Sequence, residues 1–238
     1  MPAVLRLALA AALAAALPGV AAAQAPAELG HQLYAEHCAE CHGSRGGGQG
    51  DRGPSLVGVG ELAADFYLRT GYMPLEKAGD QPTRNPNFFD DHEIDALIAY
   101  VASLGPGLPI PDPHPENGDP SEGLALFREH CAGCHQIVAQ GGYVTGAIPP
   151  PLGRSTPVQI AEAVRIGPFV MPRFSEKRIS DSELDSLIAY VQYAKSPNDA
   201  GGWSIGHVGP VPEGMVTWFL AATVLVGTCV LIGKRLRR

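Results

Sequence analysis

The sequence predicts an all-α protein: two tandem copies of one small helical domain, led by an export segment and closed by a single membrane-spanning helix. Three observations carry this. A cysteine motif returns with its flanks 93 residues down the chain, as EHCAECH at 36–42 and EHCAGCH at 129–135. Apolar residues recur at helical spacing in both copies, and strand-like alternation is almost absent. A charge-free stretch of 20 residues, GMVTWFLAATVLVGTCVLIG at 214–233, precedes a basic tail.

The two ends read as topogenic. Residues 1–23 carry Arg6, then an Ala/Leu run closing on Ala21, Ala22 and Ala23. That is the layout of a secretory signal, with cleavage expected after Ala23. An uncleaved N-terminal anchor is the alternative, though the run is short and Ala-rich for a stable span. A helix of 214–233 matches the roughly 30 Å hydrocarbon core at about 1.5 Å per residue. Lys234, Arg235, Arg237 and Arg238 follow in the 234–238 tail and place the C-terminus in the cytoplasm. The remainder then faces outward, and a buried core helix is the weaker reading of 214–233.

The outward part holds 12 basic against 24 acidic side chains, a formal charge of −12. That sign disfavours nucleic acid and favours a basic face on a partner. Its length suits two small domains rather than one large core. Of five cysteines, four form two C-x-x-C pairs, and Cys229 lies inside the expected span as a small apolar residue.

The repeat extends past the cysteines. HEIDALIAYV at 92–101 matches SELDSLIAYV at 182–191, GYMP at 71–74 parallels FVMP at 169–172, and GPSL at 53–56 parallels PPPL at 149–152. Shared order with small length changes indicates a duplicated domain, at 27–105 and 121–196. Each copy opens on a helix with a glycine one turn before an aromatic, Gly30 and Tyr34 or Gly123 and Phe127. Such a glycine lets two helices cross closely. Each copy closes on an amphipathic helix, with Asp90 or Ser180 as N-cap and Glu93 or Glu183 at capping-box spacing. Between the copies, PGLPIPDPHPENGDP at 106–120 has six prolines in 15 residues and reads as a stiff extended spacer. A second linker, 197–213, leads to the span.

C-x-x-C-H is the attachment signature of c-type haem. Cys38 and Cys41, and Cys131 and Cys134, would bond the vinyl groups, while His42 and His135 supply one axial nitrogen each. A zinc site needs four ligands, and neither copy has another cysteine. A thioredoxin-like dithiol leaves the histidines and the helical pattern unexplained. The sixth ligand follows from counting. Four methionines exist, Met1 starts the chain and Met215 starts the span, so Met73 and Met171 remain, one per copy, each before a proline. His/Met ligation fills both axial sites and raises the reduction potential, which suits an electron carrier. The other histidines, His31, His37, His92, His114, His130 and His207, read as surface residues, with His37 and His130 ambiguous beside the cysteines. The glycine run after His42 reads as a loop passing close over the haem, and the Pro54 and Pro150 carbonyls as acceptors that orient the axial imidazoles.

These residues resemble class I cytochromes c, twice over. The segments CHQ, GYVTGAIPPPL, TPVQIAEAVRIGPFVMPRF and GGWSIGHVGPVPEG before the span are similar to the dihaem cytochrome c subunit of the actinobacterial quinol–cytochrome c reductase, over nearly the whole mature chain. The resemblance implies two covalently bound haem c groups and partners in a cytochrome b subunit, a Rieske iron–sulfur subunit and a terminal cytochrome oxidase. It implies a redox subunit of a menaquinol-oxidising respiratory translocase in the cell membrane, single-pass, with both haem domains on the outer side. The other function class is a dihaem subunit of a periplasmic dehydrogenase or thiosulfate-oxidising enzyme. That class usually needs an open or unusual axial position.

Overall fold

The structure is a computed structural model that describes residues 26–77, 83–197 and 210–237. The expected signal, His207 and most of the second linker lie outside these residues. The described part is helical, with one isolated bridge between Val144 and Ala147 and no longer strand. Chain contacts divide it into a unit ending at Lys195 and a second unit from Ser196.

The first copy holds α1 (Pro26–His37), α2 (Ala39–His42), α3 (Gly60–Arg69) and α4 (Asp91–Ser103). The second holds α5 (Pro120–His130), α6 (Ala132–His135), α7 (Pro157–Ile166) and α8 (Asp181–Lys195). In each copy the first and last helices cross at the expected glycine. A Cβ on Gly30 would stand 1.9 Å from the Ala96 carbonyl oxygen, and one on Gly123 1.9 Å from that of Ser186. Any side chain would force the helices apart. The aromatic one turn on, Tyr34 or Phe127, then fills the crossing and is almost wholly buried.

The last helices bury the stripes read from the sequence: Ile94, Leu97, Ile98 and Val101 in one, Leu184, Leu187, Ile188 and Val191 in the other. Both capping boxes form. Glu93 N–H donates to Asp90 Oδ1 at 2.9 Å and Asp90 N–H to Glu93 Oε2 at 3.0 Å. Glu183 N–H donates to Ser180 Oγ at 3.3 Å and Ser180 N–H to Glu183 Oε2 at 2.8 Å.

The proline-rich segment is not a free spacer. Leu62 N–H donates to Leu108 O at 3.1 Å, tying its start to α3. His114 N–H donates to Asp185 Oδ1 at 2.7 Å, tying its end to α8. The domains also touch directly, α3 against α7. Proline content predicted the extended backbone but not that both neighbours would satisfy its polar groups.

In the second unit, α9 runs Pro210–Leu236, longer than the expected 214–233 at both ends. Pro210 and Pro212 fall in the first turn, where the missing N–H has no helical acceptor to lose. Gly214–Leu236 is long and apolar enough to cross a membrane, and none of its most apolar stretch is buried by protein.

Candidate haem sites

Two cavities open beside the two cysteine motifs. The first is walled by Cys38, Cys41, His42, Arg52, Pro54, Leu68, Met73 and Phe89, among others. The second is walled by Cys131, Cys134, His135, Pro150, Ile160, Val164, Met171 and Leu187, among others. All eight residues singled out in the sequence therefore line a cavity, four in each. Met73 and Met171 come from the loops after α3 and α7, across from short helices that carry the cysteines and histidines.

The short helices α2 and α6 are one turn each. That turn puts the two thiols and the imidazole of each motif at the mouth of one cavity. Each imidazole is oriented through Nδ1, which donates to a proline carbonyl: His42 to Pro54 O at 2.8 Å, His135 to Pro150 O at 3.1 Å. The second nitrogen is left for a metal, as expected of an orienting carbonyl. Burial lowers the His135 pKa, opposed by the Pro150 carbonyl, and favours the neutral form that ligates.

The first thiol of each motif is held in its neutral form. Burial, and then the neighbouring Cys41, pushes Cys38 up to about 11. Burial and Cys134 push Cys131 up to about 12. Zinc needs thiolates. Among the described residues no three Cys, His, Asp or Glu side chains converge as a metal-binding set. A macrocycle between the cysteine turn and the methionine loop fits both observations, because it spreads its attachment points over a wide apolar face.

The loops over the two sites share one backbone path. Gly48 N–H donates to His42 O at 2.7 Å, as Gly141 N–H does to His135 O at 3.1 Å; Leu56 N–H donates to Gly46 O, as Leu152 N–H does to Ala139 O. Positive φ occurs at matching places, Gly43, Gly46 and Gly48 in one copy, Gln136, Ala139 and Gly141 in the other. The glycine run is thus a conformational requirement, which the second copy meets with two non-glycine residues.

The two histidines left ambiguous beside the cysteines both border a cavity, although His37 is exposed. The His130 side chain is only 17 % exposed and lies against Phe174, in the wall of the second cavity. His37 packs edge-on to Phe88 and Phe89 in the first. Each precedes a cysteine, so the turn that aims the thiol inward turns the imidazole toward the same space. His31, His92 and His114 are exposed.

Several residues were missed because most of their partners lie on other elements. Arg69 pairs with Asp65 at 2.7 Å and Asp91 at 2.9 Å, and with Asp95. Arg165 donates to Phe174 O at 3.2 Å, Ile179 O at 2.8 Å and Asp181 at 2.7 Å. Each arginine ends the helix before a methionine loop and ties it to the start of the last helix. Charged residues at the ends of both helices were the only available signal.

Between α3 and α7 two acids from different domains face each other. Glu162 is wholly buried and Asp65 nearly so. Burial first, then Asp65, raises the Glu162 carboxyl to about 9, with Arg69 opposing. As carboxylates both would only accept, and neither Glu162 oxygen has a donor within reach. A proton on Glu162, donated to Asp65, resolves the contact.

Residues 27–105 match the family model for cytochrome c, and residues 118–191 match that for cytochrome C oxidase, cbb3-type, subunit III. The cytochrome bc1 complex cytochrome c subunit of Mycobacterium bovis is 37% identical over 215 residues, covering 87% of this chain and 77% of the relative. That of Corynebacterium diphtheriae is 35% identical over 230 residues, covering 89% and 82%. A cbb3-type cytochrome c oxidase subunit of Azospirillum brasilense is 30% identical over 189 residues, covering 68% and 60%.

Proposed function

This chain belongs to the family of cytochrome bc1 complex cytochrome c subunits, and from that premise we propose that it is a membrane-anchored electron carrier within a quinol–cytochrome c reductase. It carries two covalently bound haem c groups, one per cytochrome c domain. When bound, each supplies a one-electron iron couple. Cys38, Cys41, Cys131 and Cys134 hold them by thioethers. His42 with Met73, and His135 with Met171, would ligate the two irons. With both ligands in place each haem would supply electron transfer and would offer no open position to a substrate.

One observation carries this reading: each cavity brings together a complete cysteine–histidine motif and one methionine. The same observation speaks against a dehydrogenase or thiosulfate-oxidising subunit, which the relatives also do not favour. In the proposed complex a Rieske protein delivers electrons and a terminal oxidase receives them, with a cytochrome b subunit in the membrane. The basic tail after α9 supports an orientation with both haem domains on the outer side of the cell membrane.

The test is co-purification. The full chain is captured from membranes in mild detergent and a reduced-minus-oxidised spectrum is recorded. Haem b and an iron–sulfur protein beside two haems c are expected. Two haems c alone, or with a dehydrogenase, would overturn the assignment.

A further inference from the structure

The second cavity is not built from the second domain alone. Phe66, Thr70, Tyr72 and Arg84 of the first domain stand in its wall. Arg84 reaches furthest. Its guanidinium donates to Gln159 Oε1 at 2.8 Å and lies 3.4 Å from Ser155 Oγ and 3.5 Å from Arg154 O. All three partners sit at or just before the start of α7. Gln159 in turn closes the capping box of that helix on Thr156, so the receiving end is itself fixed.

Among the described residues Arg84 is the only lysine or arginine lining that cavity, whose walls are otherwise mainly apolar. A haem carries two propionate carboxylates on an otherwise apolar macrocycle. A carboxylate entering such a cavity needs donors, and charge-assisted ones hold it best. The first cavity differs. Its arginine, Arg52, comes from its own domain and is paired with Glu40 at 2.7 Å. The two sites are therefore not equivalent, although their ligand motifs match.

We propose that Arg84, together with Ser155 and Gln159, binds a propionate of the second haem, so that the first domain completes the second domain's cofactor site and sets its potential. This rests on haem c occupying the second cavity with His135 and Met171 as ligands. The sign follows from charge. Reduction removes one positive charge from the iron, so a fixed cation nearby favours the reduced form. Losing the Arg84 charge lowers the potential of the second haem and leaves the first unchanged. A mere tie between domains would not act on one potential through charge.

The experiment is an optical redox titration of the full-length chain with haem content counted per chain. Met171→His identifies the second haem's wave by displacing it. In Arg84→Gln that wave is expected to fall by roughly tenfold in its reduction equilibrium, about 59 mV for one electron. Arg84→Lys should restore most of the loss, and the other wave should stay. Ser155→Ala, a milder change, should lower the same wave by less and keeps the test open if Arg84→Gln does not load. The inference is overturned if neither Arg84→Gln nor Ser155→Ala moves that wave, if both waves shift alike, or if Arg84→Lys falls as far as Arg84→Gln. Should Met171→His displace neither wave, the ligand reading itself fails and this inference falls with it.

Discussion

Single residues decide what each site tolerates. Met73→Ala and Met171→Ala should each abolish the weak sulfur-to-iron absorption band of one haem and lower its potential. A band of full strength in both variants would refute methionine ligation. Glu162 makes a pH prediction. Its carboxyl is held near 9 in the fold, against about 4.5 when exposed. The folded chain thus keeps a proton that the unfolded chain gives up. Stability is full below about pH 4.5 and declines as pH rises toward 9. Glu162→Gln, which cannot ionise, should flatten the fall in thermal midpoint between pH 5 and 9. An unchanged slope would show that Glu162 is not the group responsible. Gln136 holds φ 57 and ψ 158, a region that glycine alone enters freely. Gln136→Gly should relieve about 1–3 kcal/mol of strain and return about 0.4–1 kcal/mol through the freer unfolded chain. A net rise in melting temperature is expected, and a fall would show no strain there.

At the scale of elements, the two crossings hold each domain together. α1 meets α4, and α5 meets α8, at a glycine with no room for a methyl group. Gly30→Ala should disturb the first domain and Gly123→Ala the second, each by more than the usual 1–3 kcal/mol of overpacking, because the obstacle is a backbone carbonyl. Haem content per chain reads this directly, with one of two haems lost in each variant. Retention of both haems and an unaltered melting curve would show that the helices can part at little cost. The methionine loops depend on a different device. Arg69 and Arg165 each tie the helix before a methionine to the helix after it, and Arg165 also holds the 167–180 loop through Phe174 O and Ile179 O.

For the whole molecule, charge and anchoring govern encounters. A formal −12 on residues 24–213 should speed association with a basic redox partner at low salt. The electron-transfer rate to a cationic soluble acceptor is expected to fall as ionic strength rises from 10 mM to above 100 mM, as the screening length shrinks from about 30 to about 10 Å. A flat dependence, measured by stopped flow, would mean that the charge only keeps the domains soluble. The direct contact of α3 with α7 means that the paired domains, rather than two beads on a string, present that surface.

The sequence by itself determined the duplication, the opening and closing helix of each copy, both capping boxes, the glycine crossings and the eight residues that line the cavities, but not α3 or α7. These are local or periodic features, and a repeat shows each of them twice. It also sufficed to mark the apolar helix, since span length and a basic flank need no partner. Tertiary structure alone decided that His130 is half-buried in a cavity wall, that Arg69 and Arg165 tie the helices on either side of the methionines, and that the proline segment is strapped to both domains. It alone placed Glu162 against Asp65 and Arg84 in the second cavity. The reason is physical: these contacts bring different elements together, those of Glu162 and Arg84 need faces that exist only once α3 packs on α7, and no periodicity within either copy records them.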